Sequence, residues 1–182
     1  MNTDFISANT VQQVSDNFYY TIPWNDVASS TSNDAYAVSS DTLYTIPGLW
    51  MERFRSKTNQ IWMTDYQIPL LSETIVGIEL RVHIKRSARI QDLTIQLTLN
   101  GNLIGLNYGV DMTTQYAYQH NLPVIGDYNV YGGPTDMWGT ALTTTDITDP
   151  TFGAVVAFQS NETLPHRDLA YINQLALRIH FG

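Results

Sequence analysis

From Ile78 to Lys85 apolar and polar residues alternate without a break, Ile78, Leu80, Val82 and Ile84 against Glu79, Arg81, His83 and Lys85. Side chains along a strand point to opposite faces in turn, so a period of two over this length predicts a half-buried strand. The pattern returns at Leu93, Ile95, Leu97 and Leu99 against Thr94, Gln96 and Thr98. It closes the chain at Leu175, Leu177, Ile179 and Phe181 against Ala176, Arg178 and His180. A terminal strand this regular is expected to be central, because leaving its apolar face in water would be costly.

Turn chemistry divides these runs. Asn100-Gly101 tolerates positive φ and predicts a tight hairpin, with Leu103 to Tyr108 as the returning strand. Trp62, Thr64, Tyr66 and Ile68 alternate with Ile61, Met63 and Asp65 until Pro69 ends the pattern. Leu43–Ile46 is a short apolar patch closed by Pro47-Gly48. Phe152 to Phe158 suits a buried strand, although periodicity does not separate so short a run from a helix. A polar loop from Asp111 to Asn121 precedes Gly132-Gly133-Pro134-Thr135-Asp136-Met137-Trp138-Gly139, where three glycines and a proline surround a tryptophan. This stretch predicts a shaped corner built on Gly132, Gly133, Pro134, Asp136, Trp138 and Gly139. No segment carries an apolar stripe at helical spacing with caps at both ends. An all-β fold of two antiparallel sheets packed face to face follows, since each alternating strand must bury one side. At 182 residues the chain fits one such core.

Residues 1–41 show neither helical nor strand periodicity and are expected to form an irregular acidic N-terminal arm, leaving 42–182 as the β-sandwich domain. Within the arm, Phe18-Tyr19-Tyr20-Thr21-Ile22-Pro23-Trp24 is too apolar to float free. Phe18, Tyr19, Tyr20 and Trp24 are therefore candidate interface residues, seated in a groove of their own domain or of a neighbour.

Charged residues make up 14% of the chain, against ~25% in an average soluble domain. Thr, Asn, Gln, Ser and Tyr take their place, types that suit strand faces and turns. The charge is also segregated. Residues 1–52 hold six acids and no Lys or Arg, 53–89 hold seven basic residues and three acids, and 90–182 hold two basic residues and eight acids. The net of −8 disfavours nucleic acid, whose binding rests on basic side chains. A basic middle between acidic ends is either a solvated surface or a basis for charge-complementary packing, between copies or onto a partner. No apolar run long enough to span a bilayer is present, and the first residues lack the pattern of a secretory signal. A soluble product of a cytoplasm is expected, with no membrane partner.

Without cysteine the chain has no disulfide, thiolate zinc site or cysteine nucleophile. His83 and His180 fall on outward strand positions and His120 and His166 in loops, at no spacing that suits a shared metal ion. Asp136, Asp146, Asp149 and Asp168 lie in turn-rich segments that could gather calcium, but Asp in turns more often bonds its own backbone. No nucleophile elbow, phosphate-binding glycine loop, dinucleotide fingerprint or carboxylate pair is present. The expectation is a protein without cofactor or catalytic residues, not an enzyme. Trp24, Trp50, Trp62 and Trp138, with eleven tyrosines, could form a sugar-stacking platform, although aromatics on strands more often fill a core or an interface.

One ordered series of short motifs runs from Trp24 to the C-terminus. It comprises Trp24-Asn25-Asp26, Ile68-Pro69 before Ile75-Val76-Gly77-Ile78-Glu79-Leu80, Asp92-Leu93 with Asn100-Gly101, Tyr131 through Gly139, Phe152-Gly153, and the last alternating strand. This series resembles the jelly-roll-like β-sandwich virion proteins of tailed bacteriophages. The resemblance implies a jelly-roll-like sandwich and a structural part of a particle, with no catalytic residues. Its first implied function is a capsid cement or decoration protein at contacts between capsomers, on the virion surface. The implied partners are the major capsid protein and further copies, as a homotrimer or ring. The alternative is a neck, tail or fibre module, in the last case one that binds a host-surface glycan. The acidic segment before Trp24 is not part of the series and is a candidate for choosing the docking site.

Overall fold

The computed structural model describes residues 2–15, 21–25, 37–39, 45–47, 53–55, 57–85, 90–109, 127–160 and 171–182. Among these the strands are β1 (Ile6–Ser7), β2 (Thr10–Val14), β3 (Thr21–Ile22), β4 (Trp24–Asn25), β5 (Ala37–Ser39), β6 (Thr45–Pro47), β7 (Arg53–Arg55), β8 (Lys57–Thr58), β9 (Gln60–Thr64), β10 (Ile75–Lys85), β11 (Ile90–Leu99), β12 (Asn102–Ile104), β13 (Asp127–Gly133), β14 (Gly153–Ser160) and β15 (Tyr171–Phe181). A short helix, α1 (Thr144–Thr148), precedes β14. One sheet runs β13-β10-β15-β5-β4, with β1 also beside β15. In the other, β12 and β11 lead to β14, which pairs with both β8 and β9, while β2 lies outside β9 and β3 outside β8. β6 and β7 form a separate ladder. The pairings are antiparallel apart from β3 with β8. The chain is thus the all-β sandwich that its alternating runs predict.

The cleanest run behaves as expected. Ile78, Leu80, Val82 and Ile84 of β10 are buried, and opposite them β15 buries Leu175, Leu177 and Ile179. They face Ile61 and Met63 of β9, Ile95 and Leu97 of β11, and Ala154, Val156 and Phe158 of β14 across one continuous core. β15 is an interior strand of its sheet and Phe152–Phe158 leads into an interior strand of the other. The Asn100-Gly101 hairpin forms with both residues at positive φ, 52° and 73°, as a type I′ turn requires.

Other segments differ from the sequence pattern, each for a local reason. β9 ends at Thr64, and Asp65 and Gln67 adopt positive φ. That break flips the phase: Ile61 and Met63 point inward before it, Tyr66 and Ile68 after it, and Trp62 is left half-exposed. In β11 the register skips Leu93, so a bulge turns Asp92 and Thr94 into buried positions and splits the expected Leu93–Leu99 face. The returning strand stops at Ile104 rather than Tyr108.

The N-terminal stretch is also not an irregular arm throughout. Ile6–Ser7 pairs with Leu177 and Ala176 in one sheet, and Thr10–Val14 pairs with Thr64 to Gln60 in the other, so residues 2–14 belong to both layers of the sandwich. Ala8, at the crossing, is buried. β3, β4 and β5 likewise join the two sheets, so the sheets draw on residues from both sides of position 42. Of Thr10–Val14 only Val11 is half-buried, so the strand shows no sustained alternation.

α1, too short to show a helical period, is instead marked by its cap. The Thr143 hydroxyl accepts from the Asp146 N–H at 3.2 Å, and Asp146 accepts from the Thr143 N–H at 2.7 Å. These Thr143 bonds hold the Asp146 carboxyl below its ordinary value. A carboxyl lowered in this way stabilises the fold above its unfolded value near 4, and the contribution fades as the pH falls through the lowered one. Thr143→Ala is therefore expected to cost about 1 kcal/mol at neutral pH, with the gap to wild type narrowing in urea titrations as the pH falls below the ordinary carboxylate range.

Candidate functional site

The sequence-predicted corner is where the two sheets are tied together. Gly132 and Gly133 end β13 opposite Glu79 and Ile78 of β10. A turn through Pro134 and Thr135 then brings the Asp136 N–H back to the Gly133 carbonyl at 3.1 Å. The Asp136 carbonyl accepts from the Ile78 N–H at 2.9 Å. Trp138 is fully buried, and its indole N–H donates to the Ile78 carbonyl at 2.9 Å. Both backbone groups of Ile78 are thus engaged by the corner. Gly132 sits at φ 78°, and a Cβ there would run into the Ile78 carbonyl and the Trp138 indole nitrogen, which excludes other residues. Trp138 itself holds φ 56°, an uncommon conformation for a bulky residue, with Gly139 following at φ 67°.

The second sheet reaches the corner through residues 105–109, where the sequence pattern predicts only the end of the returning strand. The Leu106 N–H donates to the Trp138 carbonyl at 2.6 Å. Asn107 clips the bulge of β11, accepting from the Ile95 N–H at 2.9 Å and donating to the Leu93 carbonyl at 3.1 Å. The Tyr108 ring packs edge-on against Trp138 with centroids 4.6 Å apart, and its hydroxyl donates to Asp136 Oδ2. Asp136 Oδ1 accepts from the Trp138 N–H at 2.7 Å. A further bond joins the layers where Tyr131 of β13 donates to the buried Asp92 of β11 at 2.7 Å. The corner therefore staples β13 and β10 of one sheet to β11 and β12 of the other.

Burial first, then the hydrogen bond and charge of Asp136, push the Tyr108 phenol from 10.0 up to about 12. A raised phenol stabilises the fold fully below its unfolded value, and that contribution is lost as the pH climbs towards the folded one. Wild type is expected to lose stability between about pH 10 and about pH 12, and Tyr108→Phe to decline less over that window in thermal melts.

The remaining candidates do not gather around this corner. Asp146 is spent on its cap, and Asp149 accepts from the Thr151 N–H at 2.8 Å and from its hydroxyl. Both oxygens of Asp136 are engaged within the corner. His83 and His180 do lie on one sheet face, together with Glu79, Arg81 and Arg178. Trp138 is unavailable for stacking on a sugar because it is buried, and Trp62 directs its N–H to Gln60 at 2.9 Å. Phe18, Tyr19, Tyr20, Trp50, His120, His166 and Asp168 lie outside the described residues, as does the Trp24 side chain. Among the described residues no three His, Asp or Glu side chains cluster at metal-binding distance. No protein-family model, curated protein or solved structure matches the chain. Chemically, the corner is a clamp whose polar atoms are turned on one another.

Proposed function

We propose that the protein is a structural component of a tailed-phage particle, in the first place a capsid cement or decoration protein that stabilises contacts between capsomers. The observation that carries this reading is the Trp138 corner. Tyr131 to Gly139, the longest run in the resemblance to phage sandwich proteins, are also the residues that staple the two sheets. A close-packed body clamped at its edge resists deformation, which suits a part that bridges neighbouring capsomers against the pressure of packaged DNA. In this role the protein works through its surfaces, without turnover or cofactor. Its partners are the major capsid protein and further copies of itself, with a trimer favoured.

Copy number tests the proposal. A stained gel of purified particles, read against the major capsid protein, should show hundreds of copies for a cement protein. A few to a few dozen would move it to the neck or tail, and absence from the particles would overturn the proposal.

A further inference from the structure

The tip of the β11–β12 hairpin is the one place in the chain where asparagine precedes glycine. Every other asparagine precedes a residue with a side chain. An asparagine amide is open to attack by the backbone nitrogen of the next residue, and a side chain on that residue stands in the way. Asn100 and Gly101 are both exposed, and, chain neighbours apart, no atom lies within 4 Å of where a Cβ on Gly101 would stand. The Gly101 N–H has no hydrogen-bond partner among the described residues. The nitrogen is therefore unhindered and uncommitted.

What the fold restrains is Asn100. Pairing of Leu99 with Asn102 keeps it in the turn at φ 52°. Its N–H donates to Thr151 Oγ1 at 2.9 Å, the Thr151 hydroxyl faces its Oδ1 at 3.2 Å, and the Asn102 side-chain amide donates to its carbonyl at 2.9 Å. Ring closure requires Asn100 to rotate its peptide until the Gly101 nitrogen faces Cγ. These three bonds oppose that local opening. Thr151 is itself fixed by Asp149, which accepts from its N–H at 2.8 Å and from its hydroxyl. The same bonds hold the Asp149 carboxyl below its ordinary value, so it stays charged at neutral pH.

We propose that Asn100 is a site of slow, uncatalysed deamidation gated by Thr151, and that its product releases the hairpin from the turn before β14. The Gly101 nitrogen bonds to Asn100 Cγ, the Cγ–Nδ2 bond breaks, and Nδ2 leaves as ammonia with the Gly101 proton. Water then opens the succinimide. Entry at Cγ breaks its bond to the Gly101 nitrogen and gives aspartate. Entry at the main-chain carbonyl carbon breaks that carbon's bond to nitrogen and gives isoaspartate, whose backbone runs through Cβ and Cγ. Aspartate followed by glycine still suits a type I′ turn, but its new carboxylate competes with Asp149 for the single proton of the Thr151 hydroxyl. Isoaspartate lengthens the backbone by one atom and cannot keep the turn. The site is independent of the particle reading.

Peptide mapping by mass spectrometry, on the full chain aged in its folded state at mildly alkaline pH, tests it. Asn100 should convert to aspartate and isoaspartate ahead of every other asparagine. Thr151→Ala should speed the conversion roughly 5-fold through the bonds it removes. Thr151→Ser, which keeps the hydroxyl, should react near the wild-type rate, and Asn100→Gly, which suits the same turn, should abolish the reaction. If Thr151→Ala fails to fold, Asn102→Ala serves, since it frees only the Asn100 carbonyl and should also speed conversion. Aged wild type, separated from fresh by ion exchange, should exchange the residue 100 N–H faster. An Asn100 that keeps its amide while another asparagine reacts overturns the proposal. So does a folded Thr151→Ala or Asn102→Ala chain that reacts at the wild-type rate, and so does an aged hairpin that exchanges as slowly as the fresh one.

Discussion

Trp138→Ala is expected to destabilise the protein by about 3–5 kcal/mol, the range for removing a large aromatic from a packed core. Three losses coincide at this residue. The cavity opens where β10, β13 and the 105–109 segment meet, the edge-on Tyr108 ring loses its partner, and the Ile78 carbonyl loses its indole donor. Trp138→Phe separates these terms: it keeps much of the ring volume but leaves a buried carbonyl unsatisfied, at a cost of about 1–3 kcal/mol. Single domains are stable by only about 5–15 kcal/mol, so the alanine variant should be partly unfolded under mild denaturant. Urea titration should show the midpoint falling in the order wild type, Trp138→Phe, Trp138→Ala, with an unchanged slope if both sheets still unfold together. An alanine variant within about 1 kcal/mol of wild type would mean that the corner does not hold the sheets together.

The corner also shows how far the sequence can be read. Its own residues are legible because glycine, proline and tryptophan in one short run have few other uses. Its partners are not: Leu106, Asn107 and Tyr108 sit about thirty residues upstream in a stretch that reads as the end of a strand, and only the fold brings them against Trp138. The same limit applies to the strands. β10 is legible since its ladder with β13 keeps register from Ile78 to Ile84, so face and sequence parity stay locked. In β11 the extra residue at Leu93 breaks that parity, and beyond β9 the positive φ at Asp65 and Gln67 does so. Period-two reasoning has no means of seeing a skipped register, because the sequence on either side still alternates. The outward row Glu79, Arg81 and His83 is legible from the alternation alone. Phe5, just before β1, and Tyr128 of β13, whose rings lie against Arg81, are far from it in sequence.

Deleting residues 1–14 should have the second large effect, and it decides whether this stretch is an arm or part of the body. The deletion removes β1 from β15 and β2 from β9, together with the buried Ala8 and the half-buried Ile6 and Val11 that pack on the core. Those apolar contacts amount to on the order of 3 kcal/mol, and for a domain of this size each kcal/mol moves the melting temperature by roughly 2–4 °C. The melting temperature should therefore drop by roughly 6–12 °C. Removing β2 also bares the edge of β9, a strand carrying Ile61, Trp62 and Met63, so the shortened chain should aggregate at lower concentration. Val11→Asp, in the full-length chain, should reproduce part of the fall by breaking the packing alone. A shortened chain that melts with wild type and stays dispersed would restore the irregular arm. The outcome also governs how docking must be tested on particles: if residues 1–14 are structural, truncating the first 22 residues damages the fold and any lost occupancy is ambiguous. Replacing Phe18, Tyr19 and Tyr20 by serine leaves β1 and β2 in place, so occupancy lost by that variant, at an unchanged melting temperature, would locate the docking contact in those aromatics.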